Sequence, residues 1–282
     1  METVHQIAQR VKKAEEARQK QQLQKANQLG SQPFDLVSVL NSHALMRLPV
    51  FSTRYSRQGQ RTEPIFYSSH DGSVTIEVNG NYGIPNQSDG NIIRWAISVA
   101  RQIRAKTGFI PEEISTTRYN LLKTLGKSIN GANYRNLEHS LKVLGGLQIS
   151  GNIFSKDKEF TGTLVEFDYT RDESGEIDKI VMTFGKNFRK HLQQEESVLS
   201  IPGQILTSIN PLQIRLTEVV RSHMGRSKKW EIGLEKLMLL CAEDKRSKYE
   251  FKRVVRKTKI PYQVDFRKSS STKEDIAVFR AG

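Results

Sequence analysis

Three observations in this 282-residue chain predict an α+β fold of two tandem winged-helix units behind a mobile, partly helical N-terminal arm. First, a pair of short helices joined by a turn is followed by strand-like runs, and this order returns about 110 residues later. Second, the segment Arg246–Lys259 reads as a helix with one packed stripe and one cationic face. Third, residues 1–32 are rich in Gln, Lys, Glu and Ala, and their apolar spacing fades after one short stretch.

The arm spans 1–41. Val4, Ile7, Val11 and Ala14 follow the 3-4-3 spacing of a short coiled coil, but Arg18, Gln21 and Lys25 break it. The first unit spans 42–197. It opens with the short apolar runs HALMRLPVFST and PIFYSS, and VTIEV (74–78) alternates as a strand does. A Gly, Asn and Pro-rich loop precedes a helix from about Asn91, with Ser88 or Asp89 as cap, a stripe of Ile92, Trp95, Ala96, Val99 and Ile103, and Gly108 as terminator. Residues 114–126 read as a helix with Thr116 or Thr117 near its cap, KSIN as a turn, and 131–146 as a second helix. LQISGNIF, TLVEFDYT and IDKIVMTF follow as three strands of an attached sheet.

The second unit spans 198–282, with the boundary near Pro202. Asn210 then Pro211 is a helix start, since proline tolerates the first helical position. LEKLMLLCAE (234–243) is a short apolar helix, 246–259 the basic one, and PYQVDFRK and DIAVFR two strands joined by SSSTKE.

Composition narrows the function. The net charge of +14 points to a polyanionic partner. No run reaches the ~18 apolar residues of a membrane span, and the N-terminus has no secretory stretch. The single cysteine, Cys241, sits in LMLLCA and excludes a disulfide framework or thiolate zinc site. These features predict a cytoplasmic protein. Gly126-Lys127-Ser128 is half of a phosphate-binding loop; the other glycine would stand at 121, where Leu121 lies inside a predicted helix. His5, His43, His70, His139, His191 and His223 form no paired-histidine metal motif, and no nucleophile motif occurs. The chain is therefore read as a binding protein, not an enzyme, with no cofactor and no metal.

The basic segment carries seven Lys or Arg in fourteen residues. Phe251, Val254, Val255 and Thr258 form the inner stripe. Arg246, Tyr249, Arg253 and Arg256 project opposite and are candidate base and groove contacts. Lys252, Lys257 and Lys259 are candidate phosphate contacts. Arg226, Lys228 and Lys229 could grip the flanking backbone, and Lys268 and Lys273 lie in the hairpin. In the first unit the helix face opposite the leucines presents Arg135, His139 and Lys142, with Asn130, Asn133 and Asn136 beside them. Asn suits adenine and Arg suits guanine in a major groove; the same face could instead pack on another protein.

Leu125, Gly126, Ser128, Ile129, Asn130, Gly131 and Tyr134, together with the Met46–Ser52 stretch MRLPVFS, resemble plasmid replication initiator proteins of the TrfA and RepA kind. The resemblance covers roughly residues 28–190; over 200–282 it rests on element order and basic charge. It implies two winged-helix domains that bind directly repeated sites (iterons) in double-stranded DNA at a plasmid origin. It also implies melting of an adjacent AT-rich region and recruitment of a host initiator and replicative helicase. Homodimers of such proteins often repress their own gene, with the N-terminal domain contributing dimerisation. Some members carry a Q-L-x-L-F peptide for the host sliding clamp. Here Gln28, Leu29 and Phe34 remain of it, the second Leu is lost and the spacing is stretched. A transcriptional repressor of the same architecture is the alternative reading. A nicking enzyme lacks its paired histidines, and a deep, narrow A-form RNA groove does not suit a helix.

Overall fold

A computed structural model describes residues 4–30, 38–54, 60–69, 71–155 and 157–281. The chain begins with α1 (Val4–Gly30), β1 (Val39–Ser42), α2 (His43–Arg47), β2 (Ile65–Ser68) and β3 (Thr75–Gly80). It continues through α3 (Gly90–Thr107), β4 (Glu113–Thr117), α4 (Arg118–Thr124), α5 (Gly131–Gly145), β5 (Leu147–Gly151), β6 (Phe160–Gly162), β7 (Val165–Arg171) and β8 (Ile177–Phe184). After α6 (Lys186–Gln193) and β9 (Val198–Ile201) come α7 (Pro211–Met224), β10 (Lys229–Gly233), α8 (Leu234–Leu240), α9 (Lys248–Lys257), β11 (Tyr262–Lys268) and β12 (Asp275–Ala281).

Two runs of elements share one topology. In the first, α3-β4-α4-α5-β7-β8 builds a sheet ordered β4-β8-β7; in the second, α7-β10-α8-α9-β11-β12 builds a sheet ordered β10-β12-β11. Both sheets are antiparallel throughout. Each run has its own packed centre. The larger is formed by residues such as Ile97, Ile103, Leu141 and Met182, the smaller by Leu216, Val220, Leu237, Phe251 and Phe279.

Several expectations change. Residues 113–117 are a strand, not the start of a helix: Ile114 and its β-branched neighbours Thr116 and Thr117 pair with β8, and only then does Thr117 cap α4, its Oγ1 accepting the Asn120 N–H at 3.2 Å. LQISGNIF does not join β7 and β8. Its strand β5 pairs with β3, Val78 opposite Ile149, in a separate sheet ordered β2-β3-β5-β6. The alternation of Leu147 and Ile149 suits either sheet, and only the tertiary partner chooses between them. From Val4 to Gly30 the arm is one continuous helix, and its last turns are docked. Ala26 is buried, Glu112 N–H donates to Asn27 Oδ1 at 2.8 Å, and a Cβ at Gly30 would overlap the Glu113 carbonyl oxygen. Most of α1 before Ala26 is exposed, including Val11 at 51%. Finally, β9 pairs with β1, and Ile201, Ile205 and Leu206 pack on the larger core, whereas the smaller core begins at Leu212.

The helix ends follow local chemistry. Gly108 closes α3 at φ +82°, the left-handed region that a glycine enters without cost. Asn210 caps α7 by accepting from Leu212 N–H and Gln213 N–H, ahead of Pro211. Cys241 is buried, and burial pushes its thiol up to about 12.

His191 of α6 and His223 of α7 are each pushed down to about 4, chiefly by burial. Their native values lie below the unfolded value of about 6.5, so between those limits the unfolded chain binds more protons and stability falls as pH drops. Thermal melting is expected to be progressively lower as pH falls from about 6.5 toward 4. His191→Phe, which keeps the ring contact with Phe154 (4.9 Å), should flatten that dependence. An unchanged slope would remove His191 as a cause.

Candidate nucleic-acid interface

The second helix-turn-helix is α8, the turn through Asp244, and α9. Ser247 and Glu250 form a reciprocal cap: Ser247 Oγ accepts the Glu250 N–H at 3.3 Å, and Glu250 Oε2 accepts the Ser247 N–H at 3.1 Å. The backbone donor at Ser247 holds the Glu250 carboxyl below its usual range. Phe251 and Val255 are fully buried between α8 and the β-sheet, which fixes the rotation of α9. Tyr249, Arg253, Arg256 and Lys257 consequently face outward; Tyr249 is 78% exposed. Among the described residues, Arg253, Lys257 and Lys259 make no side-chain hydrogen bond or ion pair and remain available to a ligand.

The other candidates of this unit are partly committed. Lys252 Nζ lies 2.7 Å from Asp275 Oδ1 and 5.3 Å from the Phe266 ring centroid; Arg256 stands 5.1 Å over the same ring. These contacts fasten α9 to the β11–β12 hairpin, and Lys252 holds the Asp275 carboxyl below its ordinary value. Lys268 adds to the same carboxylate at 3.2 Å. Arg246 does not share the row of Tyr249 and Arg253. It precedes the helix, mostly covered, in an ion pair with Glu243. Lys229 opens β10 and pairs with Glu231 at 2.5 Å, whereas Arg226, Lys228 and Lys273 are exposed.

In the first unit α5 follows α4 across the turn 125–130, where Gly126 at φ +64° ends α4. Its asparagines are largely structural. Asn130 Oδ1 accepts the Asn133 N–H at 2.9 Å as the cap, and Asn133 Nδ2 donates to the Ser128 carbonyl at 2.8 Å. His139 Nε2 lies 3.2 Å from Gln60 Oε1, and Lys142 stands 4.4 Å over the Tyr82 ring. Arg135 and Asn136 remain exposed and unpartnered among the described residues. Arg171 pairs with Glu138 at 2.5 Å, and Arg118, stacked 4.3 Å over Tyr134, pairs with Glu176, so both charges on this flank are balanced within the protein. A crevice of about 330 Å³ lies beside α5, lined by Arg54, Arg61, Asp89 and Lys127 together with Ile92 and Leu137. Burial pushes the Asp89 carboxyl up.

Sequence reasoning missed Arg54 and Arg61, which reach Asp244 in the α8–α9 turn at 2.6 and 2.9 Å. It missed exposed Tyr82 and Tyr119 beside the α4–α5 pair as well. No local pattern marks the two arginines as neighbours of α9, because the Asp244 they share stands 190 residues from Arg54 in the chain. Of the Gln28–Phe34 peptide, Gln28 is exposed and Leu29 packs on the larger core; residues 31–34 lie outside the described residues. Among the described residues no helix is long and apolar enough to cross a membrane.

No curated protein sequence matches this chain. Its structure is similar to domains 2 and 3 of RctB. A crystal structure of selenomethionine derivatives of those domains aligns with a TM-score of 0.62 at 13% identity, covering 86% of this chain and 98% of the other. A second crystal structure of the same domains aligns at 0.56 and 14% identity, covering 82% and 95%. At such identity the likeness establishes a shared mixed α+β fold. Residues 41–263, which include both helix-turn-helix pairs and the outward row of α9, match the family model of replication initiator protein A, and the chain therefore belongs to the replication initiator protein A family.

Proposed function

We propose that this chain is a plasmid replication initiator that reads repeated double-stranded DNA sites at an origin through two winged helices. The observation that carries this is the face of α9: a capped helix, rotated by two buried side chains, that presents Tyr249, Arg253 and Lys257 beside a basic hairpin. Such a face combines the two things specific DNA binding needs, cations for phosphates and a planar donor fork for base edges. The shared topology of the two runs supports a winged helix in each. In this reading Arg253 and Tyr249 reach base edges and Lys257 and Lys259 hold phosphates, while α5 offers Arg135 and Asn136.

The proposed activity is not enzymatic. Melting of the origin draws on binding: bending a site costs a few kcal/mol, which added phosphate and groove contacts offset. A host initiator and replicative helicase are the expected partners, and a homodimer acting as autorepressor is part of the same proposal. Residues 28–34 retain too little of the clamp peptide to be assigned that role.

Footprinting of the purified protein on the DNA flanking its own gene, with random duplex as competitor, tests the reading. Protection repeating at about two helical turns supports an iteron-binding initiator. Protection of one inverted repeat over the promoter favours a repressor, and uniform salt-sensitive coverage removes sequence reading altogether. The salt dependence can be dissected as well. Lys257→Ala should reduce the slope of log K against log salt by roughly one unit, the value for one lost phosphate contact. Lys252→Ala should reduce it less, since Asp275 already neutralises Lys252. Equal reductions would show that Lys252 leaves Asp275 for DNA.

A further inference from the structure

The two runs meet at a buried ion pair. Arg94 of α3 and Glu218 of α7 face one another with side chains 0% and 1% exposed. Arg94 Nε donates to Glu218 Oε1 at 2.6 Å and Nη2 to Oε2 at 2.9 Å. The other three N–H groups of the guanidinium are also satisfied, by the Gln87 carbonyl (2.8 Å), Gln87 Oε1 (2.5 Å) and Asn91 Oδ1 (3.1 Å). Asn41 Nδ2 adds a third donor to the Glu218 carboxylate at 2.5 Å. A fully desolvated pair of this kind contributes little net stability over an apolar pair of equal volume, but its forked hydrogen bonds tolerate little rotation.

The bonding continues to α5 and to the end of α8. On one side Ser140 of α5 donates to Asp89 Oδ1 at 2.6 Å, immediately before α3. On the other, Arg215 of α7 donates from Nε to the Leu240 carbonyl at the end of α8 (2.7 Å) and from Nη1 to the Leu45 and Met46 carbonyls of α2. A second bridge runs outside the first. Gln60 meets His139 of α5, and the adjacent Arg61 donates to the Ala242 carbonyl and pairs with Asp244, to which Arg54 also binds. Thus the turn that launches α9 is tied through directional bonds to the element that carries α5. Tandem domains ordinarily move relative to one another; this seam opposes such motion.

We infer that Arg94 and Glu218 are positioning residues for DNA reading: they hold α5 and α9 at one separation and angle, so the protein accepts two half-sites at a single spacing and phase. The consequence for DNA rests on the proposed function, whereas the rigidity of the seam does not. Inserting one base pair shifts the distal half by about 3.4 Å and turns it by roughly 34°, more than a seam held by forked bonds can follow.

The test measures rigidity and reading separately, on the full chain. Lys123 of α4 and Lys236 of α8 are exposed and belong to neither candidate contact set. Lys123→Cys and Lys236→Cys carry nitroxide labels, while buried Cys241 stays unlabelled. Pulsed electron–electron resonance should give one narrow distance peak, and Glu218→Gln should broaden or split it. Arg94→Lys, which keeps the charge and removes the fork, is the second variant should the first fold poorly, as judged by circular dichroism. A broad peak in the unaltered seam, or narrow peaks in both variants, overturns the inference. On the footprinted site, a two-base-pair insertion between halves should weaken the unaltered protein by roughly tenfold or more, the cost of losing one half's base contacts. Glu218→Gln should narrow that penalty to a few-fold. Equal penalties overturn the inference. Protection of only one half-site would instead remove the first unit as a reader, and the label distances would still decide the rigidity of the seam.

Discussion

Arg253→Ala is expected to weaken binding to the footprinted site by about 5- to 150-fold, the equivalent of 1–3 kcal/mol for one lost bidentate base contact, and to leave binding to random duplex nearly unchanged. The selectivity follows from where Arg253 stands. It is exposed on the outer row of α9 and makes no hydrogen bond or ion pair among the described residues, so truncating it removes nothing that holds the fold. Exposed substitutions of this kind usually change stability by less than about 0.5 kcal/mol. Competition binding with cognate and random duplex at fixed salt reads the effect. Equal loss on both would assign Arg253 to phosphates. Arg256→Ala is a less direct probe, since Arg256 also stacks on Phe266 and its loss loosens the hairpin as well as the groove contact.

Arg94→Met is expected to destabilise the protein by about 3–5 kcal/mol, because it strands the Glu218 carboxylate in a site with almost no water. Asn41 alone would remain as its close donor. Arg215 approaches only to 4.0 Å, and its other bonds are given to backbone carbonyls. Adding Glu218→Leu should recover most of the loss, since two apolar side chains of similar volume replace the pair without an orphaned charge. Urea unfolding of the two single variants and the double variant measures this. A double variant no more stable than Arg94→Met would show that the pair itself is a net source of stability.

Elements whose boundaries are set by neighbouring residues were legible in the sequence. The Asn210-Pro211 start, the Gly108 terminator and the inner stripe of α9 all appear in the structure as their spacing indicates. The strands β11 and β12 also lie where alternation and turn residues place them. Legibility ended where a residue type has two structural uses. Asn130 and Asn133 suit base edges, yet their side chains serve the start of α5. Arg246 belongs to the cationic run, yet a turn and Glu243 take it off the helix face. Lys252 has the correct angular position on α9, but Asp275, twenty-three residues away, claims its charge.

By itself the sequence determined the charge balance and the place of the basic helix: a net charge of +14 and a helix with one apolar and one cationic face follow from residue types and a 3.6-residue period, which are local properties. Only the tertiary structure decided which cations on that helix are available, which sheet receives β5, and how the two units are joined. Ion pairing, strand partnering and burial depend on distances between residues far apart in the chain. Arg94 and Glu218, 124 positions apart, look in the sequence like any other charged pair and meet only once α3 and α7 have packed.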